Sequence, residues 1–200
     1  MKTLRQLFPI VLLSAVSVAS LALSAGTTAP DFSLPDTSGK THSLSEYHGK
    51  YVVLEWINPD CPFVRKHYES GNMPSLQKTY TGKGVVWLSI DSSAPGNQGN
   101  YPPADLAKWE KDKDAAATAV LLDPDGRVGR EYGAKATPGM FVINPDGKLI
   151  YQGAIDSIAS TDKSDIAKAT NYVKAALDES MAGKTVTTPQ TRAYGCGVKY

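Results

Sequence analysis

An apolar run that breaks at a cysteine is the feature that most constrains the fold of this chain. Residues 51–57 are apolar except for Glu55, and Asn58-Pro-Asp60 interrupts the run just before Cys61. An apolar run between loops is typical of a strand buried on both faces. The residues after Cys61 favour a helix, so we expect this cysteine at a helix N-terminus. Free backbone N–H groups and the helix dipole favour the reactive thiolate there.

Predicted strands and helices alternate along the rest of the chain. The sequence predicts an edge strand or hairpin in 29–40, strands at 84–91, 119–123, 140–144 and 148–152, and helices at 61–68, 76–80, 102–111, 126–132 and 165–182. Gly71 and Pro74 are expected to interrupt the first helical stretch, since proline cannot continue the backbone ladder. The alternation implies an α/β fold with a mostly parallel sheet, helices on both faces and an added antiparallel hairpin.

The first 25 residues have the pattern of a secretory signal peptide. Lys2 and Arg5 precede an apolar stretch at 9–23, and small residues continue to Ala25. The stretch is short and interrupted by serine for a membrane span, which needs roughly 20 apolar residues, and an uncleaved anchor is the alternative. We predict a signal peptide at 1–25, one domain at 26–200 with a polar tail at 184–200, and a periplasmic or secreted location.

Charge and cysteine content narrow the choice of partners. The chain has 21 basic and 20 acidic residues, and loss of Lys2 and Arg5 with the signal leaves 19 against 20. A nearly neutral chain gives no reason to expect nucleic acid, or a membrane after signal cleavage, as a partner. The two cysteines, Cys61 and Cys196, allow one intramolecular disulfide in an oxidising compartment.

Five segments together resemble the thioredoxin-fold redoxins, and among them the exported, peroxiredoxin-like redoxins of bacteria. They are Trp56-Ile-Asn-Pro-Asp-Cys-Pro62, Cys61-Pro-Phe-Val-Arg-Lys-His67, Tyr132-Gly-Ala-Lys-Ala-Thr-Pro138, Gly153-Ala-Ile-Asp156 and Gly195-Cys-Gly-Val-Lys-Tyr200. The resemblance spans residues 29–200. It implies a thioredoxin-like fold, with a central mixed sheet, helices on both faces and an N-terminal strand or hairpin extension.

Two departures from the family patterns leave the reaction open. A thioredoxin-type Cys-x-x-Cys pair is absent, because Asn58 and Val64 stand three positions before and three after Cys61. The peroxiredoxin pattern Pro-x-x-x-Thr-x-x-Cys is also incomplete, since Leu54 and Asn58 replace its proline and threonine. Its distant arginine falls near Pro138, in a segment that resembles the thioredoxin cis-proline instead.

Cys61 is predicted to be the catalytic nucleophile and Cys196 its resolving partner. The two are 135 positions apart, so a bridge requires the tail to fold back, and Gly195 and Gly197 permit a close approach. The polar neighbours of Cys61 indicate the edge of a site, although a buried structural cysteine is the alternative. For Cys196, the alternatives are a permanent disulfide that ties down the tail and an intermolecular link.

Five further residues are predicted to contact the substrate: Asn58, Pro62, Arg65, Thr137 and Pro138. Asn58 either caps the helix or hydrogen-bonds the substrate. Arg65 either favours the thiolate electrostatically or is a solvated helix residue. By resemblance, Thr137 and Pro138 form a cis peptide bond that lies against Cys61, with adjacent backbone free to hydrogen-bond a thiol substrate.

No metal and no cofactor are expected. Copper chaperones of this fold carry a Cys-x-x-x-Cys pair, which is absent here, and Cys61 and His67 are six positions apart, on different helix faces. Glu55, on the predicted buried strand, is expected as a buried or rim carboxylate, with the rim favoured, and a proton relay to Cys61 is the alternative role.

The predicted function is an exported thiol-based oxidoreductase that reduces peroxides. Cys61 would be oxidised to a sulfenic acid, which would condense with Cys196 to a disulfide. A thiol electron donor, either thioredoxin-like or a small thiol, would then restore the dithiol. Two alternatives remain: thiol–disulfide exchange with protein or small disulfides, and a non-catalytic binding module in which the same two cysteines form a structural disulfide.

Overall fold

A five-stranded mixed sheet organises the chain in a computed structural model that describes residues 23–200. The strands are β1 Ser33–Pro35, β2 Thr41–Ser43, β3 Val52–Ile57, β4 Val86–Asp91, β5 Ala119–Leu122, β6 Ala136–Thr137, β7 Gly139–Ile143, β8 Leu149–Gly153 and β9 Cys196–Gly197. The α-helices are α1 Pro62–Glu69, α2 Asn72–Thr81, α3 Pro103–Asp112, α4 Arg127–Tyr132 and α5 Tyr172–Met181.

The strands of the central sheet lie in the order β5-β4-β3-β7-β8. Strands β3, β4 and β5 are parallel, whereas β7 pairs antiparallel with both β3 and β8. Two smaller pairs are added, the hairpin of β1 and β2 and the antiparallel pair of β6 and β9. The predicted α/β fold with a mixed sheet and an N-terminal hairpin is therefore confirmed.

Side chains of the central strands alternate between two cores, as the two-residue period of a strand requires. Val53 and Trp87 pack on one face among residues of α1, α2 and α5. Leu54 and Leu88 pack on the opposite face with residues of α4 and of the β1–β2 hairpin. All six residues of β3 are buried. Because both faces of the sheet are covered, β3 holds the residues that follow it in a fixed position.

The first helical stretch breaks at Gly71 and not at Pro74. Gly71 precedes α2 with a φ of 76°, in the left-handed region that glycine adopts without steric cost. Pro74 lies in the first turn of α2, where its missing N–H costs no intrahelical hydrogen bond. The prediction that Pro74 interrupts the helix, with resumption only at 76, is wrong for this reason.

The last helix is shorter than predicted, because it begins at Tyr172 and not near 165. Asp162 caps only a 3₁₀ turn at Lys163–Asp165. The cap of α5 is Asn171, whose side chain accepts a hydrogen bond of 2.9 Å from the Lys174 N–H. The apolar spacing at 166–169 therefore belongs to a loop and contributes no face to the core.

The predicted signal peptide falls almost entirely outside the described residues, at 1–22. From Leu23 onward the chain is attached to the sheet, and the Gly26 N–H donates to the Leu149 carbonyl at 2.8 Å. Within 23–200, no helix combines the length and the apolar character that a bilayer crossing requires.

Candidate functional site

Cys61 occupies the N-cap of α1, at the end of a turn that Asn58 organises. The Asn58 side-chain oxygen accepts from the Asp60 N–H at 2.9 Å, and its backbone carbonyl accepts from the Cys61 N–H at 3.0 Å. Its amide group donates to the Gln98 carbonyl at 3.1 Å, which joins the turn to the loop after β4. Pro62 begins the helix at a position where no N–H is needed. Asn58 thus shapes the turn that presents Cys61.

The Cys61 side chain is completely buried, with 0% exposure. Its sulfur donates a hydrogen bond of 3.1 Å to the Thr137 carbonyl. The prediction that Cys61 lies at an open site edge is therefore wrong for this conformation. The physical reason is the C-terminal tail, which folds back over the helix N-terminus and places Cys196 beside the buried sulfur.

The tail runs as a strap along one end of the sheet and then over the segment before Pro138. Three backbone hydrogen bonds attach it. The Thr191 N–H donates to Gln152 O in β8, and the Val198 N–H donates to Lys135 O just before β6. The Lys199 carbonyl accepts from the Ala94 N–H in the loop after β4. At the far end, the Tyr200 hydroxyl donates to the Ala134 carbonyl at 2.7 Å. These attachments hold a polar segment of the chain in one defined path.

Strand β9 brings Cys196 opposite Thr137 in an antiparallel pair with β6. Gly195 makes this approach possible, because it has a φ of 130° and any Cβ at that position would overlap the Thr137 carbonyl oxygen. The Thr137–Pro138 peptide bond is cis, as the resemblance implies, and both residues are buried. The structure thus brings Cys61, Thr137, Pro138 and Cys196 together, although their chemical roles remain predictions.

Hydrogen bonds outweigh burial at the Cys61 sulfur. Burial raises the pKa of the Cys61 thiol, but donors from the Cys196 thiol, the Val64 N–H and the Thr137 hydroxyl lower it below its ordinary value. At Cys196, burial and the neighbouring Cys61 raise the thiol pKa to about 12. The pKa of Cys61 is therefore lowered and that of Cys196 raised, so the Cys61 thiol gives up its proton more readily than its neighbour does.

Arg65 and Pro62 lie at the surface of α1 and are not buried with this cluster. The Arg65 side chain is 58% exposed, and its Nε donates to Glu69 at 3.2 Å, one helical turn further on. Of the two interpretations that the sequence allowed for Arg65, the geometry favours the solvated helix residue. Pro62 is exposed beside the buried cysteine, so it lies on the outer surface of the site.

Glu55 is fully buried, which contradicts the predicted position at the rim of the sheet. Its carboxylate accepts hydrogen bonds from Trp87 at 2.8 Å, Tyr68 at 3.0 Å and Gln77 at 3.1 Å. Burial raises the pKa of Glu55 to about 7, although these three donors oppose the shift. Glu110 is buried close by, and burial together with the Glu55 charge raises its pKa to about 8. Glu55 on β3 and Glu110 on α3 therefore form a buried acidic pair between the sheet and this helix.

The histidines lie in separate environments. His42 Nε2 contacts Asp36 at 2.9 Å in the N-terminal hairpin, whereas His67 on α1 contacts Asn72 and the tail residue Tyr194. In the part of the chain from 23 onward, no three His, Cys, Asp or Glu side chains are grouped as metal ligands.

Tyr194 and Asp156 are site residues that the sequence did not assign. Tyr194 lies two residues before Cys196, and its hydroxyl donates to the Asp156 carboxylate. Both residues fall in or next to segments that carry the family resemblance, Gly153–Asp156 and 195–200, and this was the only available signal. No sequence pattern shows that a tyrosine and an aspartate 38 positions apart meet.

Comparison with known proteins agrees with this geometry. The profile of the AhpC/TSA family matches residues 25–152. Thiol-disulfide oxidoreductase ResA of Bacillus subtilis (strain 168) is 26% identical over 144 residues, covering 68% of this chain and 71% of that protein. A candidate peroxiredoxin of Mycobacterium tuberculosis (strain H37Rv) is 28% identical over 144 residues, covering 64% of this chain and 83% of that protein.

A solved structure extends the similarity over more of the chain. A hypothetical protein of Sinorhizobium meliloti 1021 has a TM-score of 0.75 at 26% identity, and the match covers 90% of this chain and 96% of that one. The predicted resemblance to thioredoxin-fold redoxins is confirmed. Because the family profile covers more than half of the sequence, this chain belongs to the AhpC/TSA family and is a thiol-dependent oxidoreductase of thioredoxin-like fold.

Proposed function

We propose that this protein is a two-cysteine redox enzyme in which Cys61 and Cys196 alternate between a dithiol and a disulfide. The observation that carries the proposal is that Thr137 brings the two cysteines together: its carbonyl accepts a hydrogen bond of 3.1 Å from the Cys61 thiol, and Cys196 lies opposite it in β9. The neighbouring Cys196 thiol lowers the pKa of Cys61, and burial together with Cys61 raises that of Cys196. Both cysteines are free in this structure, which therefore corresponds to the reduced state of the cycle.

Thiol–disulfide exchange is the first candidate reaction. The Cys61 thiolate attacks one sulfur of a substrate disulfide and releases the first substrate thiolate. Cys196, after losing its proton to that leaving thiolate, attacks the Cys61 sulfur and releases the second substrate thiolate. Two electrons pass to the substrate, and the protein is left with a Cys61–Cys196 disulfide. The similarity to ResA, which is named a thiol-disulfide oxidoreductase, supports this assignment.

The return step is best supported at Cys196. A donor thiolate that attacks Cys196 expels the Cys61 thiolate, and a thiolate of lower pKa leaves faster. Cys196 is also partly exposed, whereas Cys61 is completely buried. A second donor thiolate then attacks the mixed disulfide, releases Cys196 and leaves an oxidised donor. The donor class remains a thioredoxin-like protein or a small thiol.

Peroxide is the second candidate oxidant, and the complete burial of Cys61 favours it because a peroxide is small. The Cys61 thiolate would take one peroxide oxygen to form a sulfenic acid and release water or an alcohol, and Cys196 would then displace water to form the same disulfide. The similarity to a candidate peroxiredoxin supports this route. The exposed position of Arg65 weighs against the peroxide route, because its guanidinium does not reach a peroxide bound at the buried Cys61 sulfur.

We also propose that the protein acts outside the cytoplasm, in the periplasm or as a secreted protein. The signal-peptide pattern at 1–25 supports this location. A disulfide between Cys61 and Cys196 can persist in such a compartment. The domain would then be residues 26–200, and the tail at 184–200 would remain part of it.

Single-turnover oxidation tests the function and its two oxidants. Reduced protein is mixed with equimolar oxidised glutathione or hydrogen peroxide, quenched with acid and analysed by mass spectrometry. We expect oxidised glutathione to convert wild type to the intramolecular disulfide, Cys61→Ser to show no conversion, and Cys196→Ser to stop at a mixed disulfide on Cys61. Faster conversion by peroxide would assign the second candidate. Equal inertness of wild type and Cys61→Ser toward both oxidants would contradict the proposed function.

A further inference from the structure

The tail that carries Cys196 is fastened to α1, the helix that follows Cys61, by one half-buried tyrosine. Tyr194 lies two residues before Cys196, and its ring packs edge-on against Phe63 of α1 with 5.7 Å between ring centroids. Its hydroxyl donates to Asp156, which follows β8. Tyr194 therefore joins three parts of the chain, namely the tail, α1 and the segment after β8, at a point next to both cysteines.

The hydrogen bonds around Tyr194 have a single consistent direction. The Asn72 amide donates to His67 Nδ1 at 2.8 Å, so the His67 proton lies on Nε2. That proton faces the Tyr194 oxygen at 3.4 Å, and the Tyr194 proton in turn faces Asp156 Oδ1. The Ile158 N–H donates to the same Asp156 oxygen at 3.0 Å. A neutral His67 fits this order, since burial lowers its pKa to about 4.

The two side chains that contact the Tyr194 hydroxyl are both buried, which makes this hydroxyl hard to replace by water. His67 is 0% exposed and Asp156 is 3% exposed. If the Tyr194 hydroxyl leaves, Asp156 loses a donor in a place where an unpaired acceptor is costly. Undocking of the tail is therefore opposed at Tyr194, two residues before Cys196.

We infer that Tyr194, held by Asp156 and His67, is a positioning residue that keeps Cys196 over Cys61 and sets the stability of the Cys61–Cys196 disulfide. This inference rests on the proposed two-cysteine cycle. A docked tail raises the effective concentration of one thiol at the other, and disulfide stability follows that concentration. The same docking slows the reaction of external reagents with Cys61 in the reduced protein, because the tail must open before they reach the buried sulfur.

The test compares two tyrosines that each donate to an aspartate. Tyr194→Phe removes the hydroxyl but keeps the ring against Phe63. Tyr80→Phe is the matched control. The Tyr80 hydroxyl also donates to an aspartate, Asp178, at 2.7 Å, but Tyr80 lies on α2 and does not hold the tail that carries Cys196. The readouts are the equilibrium of the Cys61–Cys196 pair with reduced and oxidised glutathione, and the rate at which iodoacetamide alkylates Cys61 in the reduced protein.

We expect Tyr194→Phe to shift the glutathione equilibrium toward the dithiol and to speed Cys61 alkylation, each by about ten-fold, as the loss of a hydrogen bond to a charged acceptor implies. Tyr80→Phe should stay within about two-fold of wild type in both readouts. Wild-type values for Tyr194→Phe would overturn the inference. If wild type forms no intramolecular disulfide, the proposed function fails, and the alkylation rate alone then decides whether Tyr194 holds the tail closed over Cys61.

Discussion

Thr137 and Cys196 face each other in the short antiparallel pair of β6 and β9, and the Thr137 carbonyl also accepts the hydrogen bond of the Cys61 thiol. One residue thus contacts both cysteines, although they are 135 positions apart in the chain. Because strand register is fixed by this pairing, a shift of one residue would turn the Cys196 side chain to the other side of the strand. The geometry of the two-cysteine cycle depends on this register.

The pKa of Cys61 is predicted to depend on the thiol of Cys196. Cys196→Ala removes a hydrogen-bond donor to the Cys61 sulfur, so the Cys61 pKa should rise. Cys196→Ser is the matched control, because its hydroxyl can still donate and the rise should be smaller. Ultraviolet absorbance of the thiolate as a function of pH measures both variants. An unchanged Cys61 pKa in Cys196→Ala would contradict the assignment of this donor.

A methyl group at Gly195 is predicted to open the site. Gly195→Ala forces a side chain onto the Thr137 carbonyl at a φ of 130°, and a conformation of this kind costs about 1–3 kcal/mol. The strap should leave β6, and iodoacetamide should alkylate Cys61 at least about ten-fold faster. Gly197→Ala is the control, because the nearest atom to its added Cβ is 4.0 Å away. Equal alkylation rates in the two variants would show that Gly195 does not govern access.

Glu110 is predicted to make the protein less stable as the pH rises. Below pH 4.5, Glu110 is protonated in both the folded and the unfolded chain. Between pH 4.5 and about 8, the unfolded chain releases this proton while the folded chain retains it, so the free energy of unfolding falls with rising pH. Glu110→Gln replaces this carboxyl by an amide that does not titrate, so its stability does not change in this way. At pH 8 it should therefore exceed wild type in stability by at least about 1.4 kcal/mol, the equivalent of one pKa unit.

Urea unfolding of the reduced protein at pH 4.5 and pH 8 measures this difference. The advantage of Glu110→Gln over wild type should nearly vanish at pH 4.5. Glu131→Gln, a change at an exposed glutamate, serves as the control and should show little pH-dependent difference. An advantage of equal size at both pH values would mean that Glu110 does not titrate as its burial implies.

Local patterns predicted the parts of the fold that depend on neighbouring residues. The apolar run at 51–57 marked β3, the sequence Asn58 to Pro62 marked the turn and the helix start, and the strands predicted at 140–144 and 148–152 marked the last hairpin. Each of these is set by side-chain periodicity or by turn chemistry within a few positions. The thioredoxin-like fold and the cis peptide bond before Pro138 came from the family resemblance instead.

The burial of Cys61 and of Glu55 could not be predicted in this way. Cys61 is covered by a tail whose position is decided by attachments such as Tyr194 to Asp156 and Thr191 to Gln152. Buried Glu55 accepts a hydrogen bond from Trp87 on the neighbouring strand, although the register of the sheet pairs Trp87 with Val53. Both outcomes depend on contacts between distant parts of the chain, which leave no periodic signal in the sequence.

The start of α5 illustrates the same limit within one segment. The spacing of Ile166 and Ala169 is compatible with a helix, and Asp162 is a good N-cap residue. Asp156 pairs with Asn171 across the loop, and the Ser157 N–H donates to the Thr170 carbonyl. These tertiary contacts keep 166–170 out of the helix and leave Asn171 as the cap.

The central claim is that Cys61 and Cys196 form one redox pair within a single chain. Peptide mapping by mass spectrometry, without reducing agent, tests it on protein that has been oxidised by one equivalent of oxidised glutathione. The account predicts a cross-linked peptide that joins Cys61 to Cys196 in a monomer, with no such peptide in Cys61→Ser or Cys196→Ser. Two cysteines that stay free, or that appear only in intermolecular disulfides, would contradict it.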